Sequence, residues 1–246
     1  MPALYDRIGT TYWRYRQPDP HIAKLIDDAI GDVASVVSIG SGTGSYEPSG
    51  RRTVAVEPSR VMIDQRPPGI APVVQAVAEH LPVASDSFDV ALAVLTVHHW
   101  SDHVAGLREM RRVASKQVVL TWDDSGWDSF WLVADYLPEW PKTEASVASY
   151  YAIIEELDVD EVKAVPVPRN CMDGFGGAYW RRPEMYLDPN ARAAISGLAR
   201  CDPVVLDKAM ARLSSDIADG TWKAKYGHLL KLDEIDLGYR LVVASR

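Results

Sequence analysis

Residues 36–46 read VVSIGSGTGSY, a β-branched apolar run that stops on three glycines at alternate positions, Gly40, Gly42 and Gly44. Such a run has the composition of a strand covered on both faces. A glycine turn directly behind it lets the backbone approach a ligand closely, because glycine has no Cβ and tolerates positive φ. Outward from this point, 53–56 is a second short apolar run that halts at Glu57-Pro58. Glu57 lies 17 residues beyond Gly40, at a strand end where a carboxylate accepts both hydroxyls of a ribose. The turn is G-x-G-x-G with Ser45 where a dinucleotide fingerprint wants a third glycine or alanine, so a nicotinamide cofactor loses ground.

The same rhythm continues. Residues 33–39, 53–56, 72–77, 88–97 and 117–122 are expected strands, with a sixth over 162–167 and a last over 239–244. Helices are expected over 21–30, 104–113, 190–198 and 204–218, the first ended by Gly31. Only SYEPSGRR separates the glycine turn from the second strand, too little for a helix, and Pro48 interrupts it further, so the first crossover is expected to be irregular. The pattern specifies an α/β fold, a Rossmann-like doubly wound and mostly parallel seven-stranded sheet. Twelve of the 22 aromatic residues (8 Trp, 11 Tyr and 3 Phe) fall between Trp122 and Tyr186, which marks a helical, aromatic-rich insertion or cap. The rings serve either as the core of that cap or as a pocket lining for a flat apolar molecule. A single domain is expected over 1–246: an N-terminal lid and first helix (1–30), a cofactor-binding core (31–122), an aromatic-rich substrate region (123–190), and C-terminal helices with the last strand (191–246).

Composition narrows the partners. The 246 residues carry a net charge of −8 and are 47% hydrophobic, ordinary values for a soluble globular chain. An acidic surface without a cluster of Lys and Arg longer than a pair, such as Arg181-Arg182, argues against nucleic acid. The two cysteines, Cys171 and Cys201, make neither a disulfide framework nor a metal site, and no metal is expected. No apolar run of membrane-spanning length and no signal segment occurs, so a cytoplasmic protein without a membrane partner, monomeric or homodimeric, is expected.

In their order, the glycine turn, VAVEPS around Glu57, AEHLPVASDSFDVALA (78–93), the VHHW end of the fourth strand (97–100) and REMRRVA (108–114) resemble the class I S-adenosylmethionine-dependent methyltransferases, in particular the small-molecule group called type 11. The resemblance implies S-adenosyl-L-methionine as cofactor and S-adenosyl-L-homocysteine as product. It implies cofactor contacts from Gly40, Ser41, Gly42, Gly44, Glu57, Pro58, Met62, Val77, Ala78, Glu79, Leu95 and Thr96. The early YDRIGTTYWRYRQPDP (5–20) is similar to the group's N-terminal lid and brings Tyr12 and Arg16 to the cofactor's methionine part. The chain departs from the family pattern at Ser38, where an acidic residue is usual, and at Val77, where another commonly reads the adenine amino group. Adenine is then expected against the backbone near Ala78 and against Met62.

Methyl transfer is an in-line displacement, so much of the catalysis is alignment and exclusion of water. If the nucleophile is a neutral O–H or N–H, a base receives its proton; an anion or free amine needs none. His98 and His99, at the carboxyl edge of the fourth strand, are the base candidates, and neighbouring positions there face opposite ways, so one is expected in the pocket. Asp123 and Asp124, just past the fifth strand, are rivals, with a helix cap as their structural alternative. Substrate contacts are expected from His99, Trp100, Trp127, Trp131, Phe175, Tyr179 and Trp180, the last three in the glycine-rich stretch 171–183. The expected reaction is methylation of a small aromatic or apolar acceptor. The alternative is a protein that binds the same cofactor without methylating, as a sensor or cyclase-like scaffold.

Overall fold

The computed structural model describes residues 12–126, 129–140 and 144–246. After the short helix α1 (Tyr12–Tyr15), Asp19 caps helix α2 (Pro20–Ile30), accepting hydrogen bonds from the His21 and Ile22 amides, and Gly31 closes it at φ +77°. Strands β1 (Ser35–Ile39), β2 (Arg52–Val56), β3 (Val73–Val74), β4 (Phe88–Val94), β5 (Ala114–Trp122), β6 (Val159–Ala164) and β9 (Tyr239–Ser245) form one seven-stranded sheet in the order β3-β2-β1-β4-β5-β9-β6. β1 to β5 pair in parallel, and β9 runs antiparallel between β5 and β6. A separate two-stranded pairing joins β7 (Val167–Pro168) to β8 (Glu234–Ile235). The fold is thus α/β and doubly wound, and the strand order reverses between β1 and β4, the switch point at which open sheets of this class bind ligands.

Alternating side chains along the central strands enter two different cores, as the two-residue strand period requires. Val36, Val90, Leu92, Val118 and Leu120 join a core with Ile22, Ile26 and Ile30 of α2 and the aromatic cap. Val37, Ala91, Ala93 and Val119 join the other, with Leu107, Met110 and Val113 of helix α4 (His103–Val113) and Ile153 of helix α5 (Glu144–Glu156). Both faces are covered, which is why β1 is buried at all five positions and has no polar-apolar alternation.

Several element boundaries differ from the sequence expectation, each for a local reason. β4 stops at Val94 because Leu95 takes a left-handed conformation (φ +50°), and residues Val97–His99 form a 3₁₀ turn in place of further strand. β6 lies at 159–164 and is almost wholly exposed: it is an edge strand whose charged residues keep it soluble, while the apolar Val165 and Val167 beyond it enter the core. The helix expected over 190–198 is broken at Ile195 into Pro189–Ala193 and Ser196–Ala199. Residues 40–51 contain turns and bends but no helix, as the short spacing demands.

Candidate active site

One cavity of about 350 Å³ opens at the carboxyl edge of β2, β1 and β4. β1 delivers Ser38 and the glycine turn to it, β2 delivers Glu57 and Pro58, and the end of β4 delivers Val94, Leu95 and Thr96. The turn is pinned to its neighbour, since the amides of Gly40 and Ser41 both donate to the Val56 carbonyl at 2.8 and 3.1 Å. Gly40 has φ +63°, and a Cβ built there would lie 2.0 Å from Thr96 Oγ1. Glycine is therefore required twice over, by conformation and by the closeness of Thr96.

Glu57 is 4% exposed and bridges the two strand ends. Its Oε2 accepts from the Gly42 amide (2.8 Å) and its Oε1 from the Ser59 amide (2.9 Å). Ser59 in turn caps the short helix α3 (Arg60–Asp64), which carries Met62 into the wall, fully buried and against Gly42. Val77, Ala78 and Glu79, in the segment that follows β3, complete this side. Burial alone would raise the Glu79 carboxyl, but hydrogen bonds from Ser101 and from the Asp102 amide outweigh it and hold the group below its usual range.

Tyr12 and Arg16 lie in the same wall, with the Arg16 guanidinium 4.9 Å above the Tyr12 ring. Arg16 pairs with the buried carboxylate of Asp173, which also accepts from Tyr46 Oη at 3.1 Å. Burial, reinforced by the Asp173 charge, pushes the Tyr46 phenol far above its ordinary pKa. Asp173, Tyr46, Thr43, Ser45 and Ser101 line the cavity without having been singled out from sequence. Asp173 and Arg16 are 157 residues apart, and the only sequence signal was an acidic residue in an otherwise apolar, glycine-rich stretch.

On the β4 side the 3₁₀ turn aims His99 into the cavity beside Trp100, and turns His98 onto the Trp122 ring, 4.3 Å between centroids. Burial first, then the positive charges of Arg200 and Arg16, push the His99 imidazole down to about 3. His98 is held well below the ordinary value by burial and then by His99. Both are neutral at neutral pH.

Other candidates from sequence are placed elsewhere. Gly44 is not in the cavity wall; it faces Ile70 and Arg66, with a built Cβ 2.5 Å from Ile70 Cδ1. Asp123 is likewise outside the cavity: Oδ2 pairs with Arg240 Nε at 2.8 Å and Oδ1 caps the turn at Ser125, so it fastens the ends of β5 and β9. Trp131, Phe175, Tyr179 and Trp180 are buried in the core of the cap and do not line the cavity. Trp131 is ringed by Phe130, Tyr136, Tyr186 and Trp222, and its Nε1 donates to the Trp180 carbonyl. Phe175 packs on Tyr239, and Tyr179 takes the Arg182 guanidinium on its face. These rings share one core with the C-terminal helices, packing with Met210, Leu213 and Trp222. Trp127 and residues 1–11 lie outside the described residues. Among the described residues no group of His, Cys, Asp and Glu is arranged to hold a metal, and no helix is long and apolar enough to cross a membrane.

Comparison with known proteins agrees with this geometry. A family described as a methyltransferase domain matches residues 37–121. A solved structure from Anabaena variabilis, described as a methyltransferase from an antibiotic biosynthesis pathway, is 31% identical with a TM-score of 0.84, covering 94% of this chain and 99% of its own. The tRNA (carboxymethyluridine(34)-5-O)-methyltransferase of Schizosaccharomyces pombe is 31% identical over 121 residues, 48% of this chain and 49% of that protein, so the match spans about half of each. A structure from Anaeromyxobacter dehalogenans described as a type II methyltransferase shares the fold at 17% identity and a TM-score of 0.55, covering 94% of this chain and 96% of its own.

Proposed function

This chain belongs to the class I S-adenosylmethionine-dependent methyltransferases, and from that premise we propose that it methylates a small aromatic or apolar molecule in the cavity at the β1/β4 switch point. The cofactor is S-adenosylmethionine, which supplies an electrophilic methyl group. The residues fit it. Gly40 and Gly42 leave backbone bare beside the cavity, and Glu57 presents a buried carboxylate of the kind that binds vicinal hydroxyls. In this reading Gly40, Ser41, Gly42, Leu95 and Thr96 cradle the cofactor, Glu57 and Pro58 hold its ribose, and Met62, Val77, Ala78 and Glu79 border its base. Tyr12 and Arg16 cover it from the N-terminal side.

The observation that carries the acceptor assignment is the pairing of His99 with Trp100 in the same wall. Trp100 offers a flat apolar surface. His99 is neutral, and a base whose conjugate acid has a pKa of about 3 is a poor acceptor for a hydroxyl or ammonium proton. We therefore assign His99 to orientation: it hydrogen-bonds an acceptor that arrives with its lone pair available, as an anion or a free amine. His98, behind it, sets its position.

The relative from Anabaena variabilis supports a small-molecule acceptor through its antibiotic-pathway description, and the match runs nearly end to end. The tRNA-modifying relative points to nucleic acid but covers half the chain. The Arg181-Arg182 pair is already engaged within the chain: Arg181 donates to the Leu230 and Leu232 carbonyls, and Arg182 to those of Cys171 and Ala178. The test is incubation with S-adenosylmethionine and, separately, a panel of small aromatic acceptors and total tRNA, followed by release of S-adenosylhomocysteine. Release with tRNA alone overturns the small-molecule reading.

A further inference from the structure

The first crossover has no helix, so the glycine turn lacks the helix N-terminus that ordinarily supplies positive potential and aligned N–H donors behind it. A buried ion pair stands there instead. The side chains of Arg66 and Glu47 are 5% and 6% exposed. Arg66 Nη1 donates to Ser41 Oγ (3.2 Å) and to the Gly42 carbonyl (3.3 Å), and Nη2 to Glu47 Oε1 (2.6 Å) and the Ala71 carbonyl (3.0 Å). The Gly42 residue is thus gripped from both sides, its N–H by Glu57 and its C=O by Arg66. Gly44 leaves room for the guanidinium, since a built Cβ would come within 3.2 Å of Nη1.

We propose that Arg66, balanced by Glu47, is a positioning residue for the cofactor: it replaces the absent helix end and fixes the Ser41–Gly42 peptides against Glu57. A stability role explains the pair poorly. Burial pushes the Glu47 carboxyl above its ordinary range despite the Arg66 charge, and Glu47 Oε2 is buried without a hydrogen-bond partner among the described residues. Ion pairs of this kind are commonly replaced by apolar residues at no loss of stability. What an apolar pair does not do is donate to Ser41 and Gly42.

The inference rests on the glycine turn and Glu57 being the cofactor site, so the experiment includes Glu57→Gln. S-adenosylhomocysteine is titrated calorimetrically into the intact chain, and thermal unfolding is followed in parallel. Arg66→Met alone strands a buried carboxylate and endangers the fold, so the decisive variant is R66M/E47L, which removes both charges. The expected result is a Kd raised about tenfold or more with a melting temperature close to that of the unaltered chain. Arg66→Lys, which keeps the charge but loses the two-pronged donor, falls between the two. If R66M/E47L binds within twofold of the unaltered chain while Glu57→Gln does not, Arg66 has no positioning role. If affinity declines only in step with a falling melting temperature across both Arg66 variants, the role is structural and the inference is overturned. Should Glu57→Gln bind as tightly as the unaltered chain, the cofactor-site reading fails, and this inference with it.

Discussion

Replacing Gly40 by alanine tests the cofactor cradle with a change of one carbon atom. At φ +63° an L-residue pays roughly 1–2 kcal/mol for the left-handed conformation. The new Cβ would also sit 2.0 Å from Thr96 Oγ1, 2.9 Å from Thr96 Cβ and 3.0 Å from Thr96 Cγ2, so the threonine or the turn must move, at an overpacking cost of about 1–3 kcal/mol. Gly50 is the control. It lies on the same crossover at φ +75° with nothing within 4 Å of a built Cβ, so Gly50→Ala carries the conformational cost alone. With about 2–4 °C of melting temperature per kcal/mol in a chain of this size, Gly40→Ala should melt roughly 5–15 °C low and Gly50→Ala only a few degrees low. Adding Thr96→Ala to Gly40→Ala removes the two outer clashes and should recover part of the difference. In calorimetry Gly40→Ala should lose most of its affinity for S-adenosylhomocysteine, whereas Gly50→Ala should keep it. Equal melting temperatures and equal affinities for the two single variants would refute the reasoning, because the Thr96 contact would then be without consequence.

Glu57→Ala should weaken S-adenosylhomocysteine binding by about tenfold to a hundredfold, since it removes the acceptor of the Gly42 and Ser59 amides together with the proposed ribose contact; unchanged calorimetric affinity would remove Glu57 from the site. His99→Asn should lower kcat by no more than about tenfold, because a general base contributes about 10²- to 10⁴-fold and orientation far less; the rate should show no break between pH 6 and 8 attributable to this imidazole. Denaturant titrations should find stability level above pH ~6.5 and falling as pH drops below it, because the folded chain holds both His98 and His99 well below the ordinary imidazole range. The sign follows from their depressed folded-state values: below pH ~6.5 the unfolded chain binds protons that the folded chain refuses. Trp180→Ala, at a fully buried ring, should cost about 3–5 kcal/mol in stability yet leave the acceptor KM unchanged, and a raised KM with intact stability would return Trp180 to the cavity wall.

The cavity wall at the ends of β1 and β2 was legible in sequence because its parts are local. A buried strand, a glycine turn and the next strand's terminal Glu57 follow one another within about twenty residues, and the parallel pairing of β1 with β2 and β4 brings their ends together without further information. The irregular crossover was legible too, from spacing and Pro48. Its consequence was not. That Arg66 reaches back to Ser41 and Gly42 depends on where the chain goes after α3, and nothing in QRPPGI states it. The end of β4 shows the same limit: residues 90–95 are apolar throughout, and nothing in them announces that Leu95, still bonded to the Leu120 carbonyl of β5, takes a left-handed conformation and ends the strand beside the cavity.

The role of the cap's rings was not legible, for a reason of principle. An aromatic-rich stretch raises the buried apolar area in the same way whether the rings surround one another or a ligand, so composition does not separate a cap's core from a pocket's lining. Topology does. Phe130, Trp131, Tyr136, Phe175, Tyr179, Trp180 and Tyr186 belong to a cap on the same face of the sheet as α2, and covering that face consumes Trp131, Trp180 and Tyr186 completely. What the cap contributes to the cavity is instead Asp173, a single carboxylate tied to Arg16 and Tyr46 across the N-terminal segment and the glycine-turn loop. Three segments far apart in sequence therefore meet on one buried charge. Asp173→Asn keeps the shape but weakens the attraction for Arg16, so it should loosen the 12–19 segment and raise its protease sensitivity while α4 and β5 stay protected. Protection that falls uniformly along the chain would instead make Asp173 a general core residue and not the anchor of that segment.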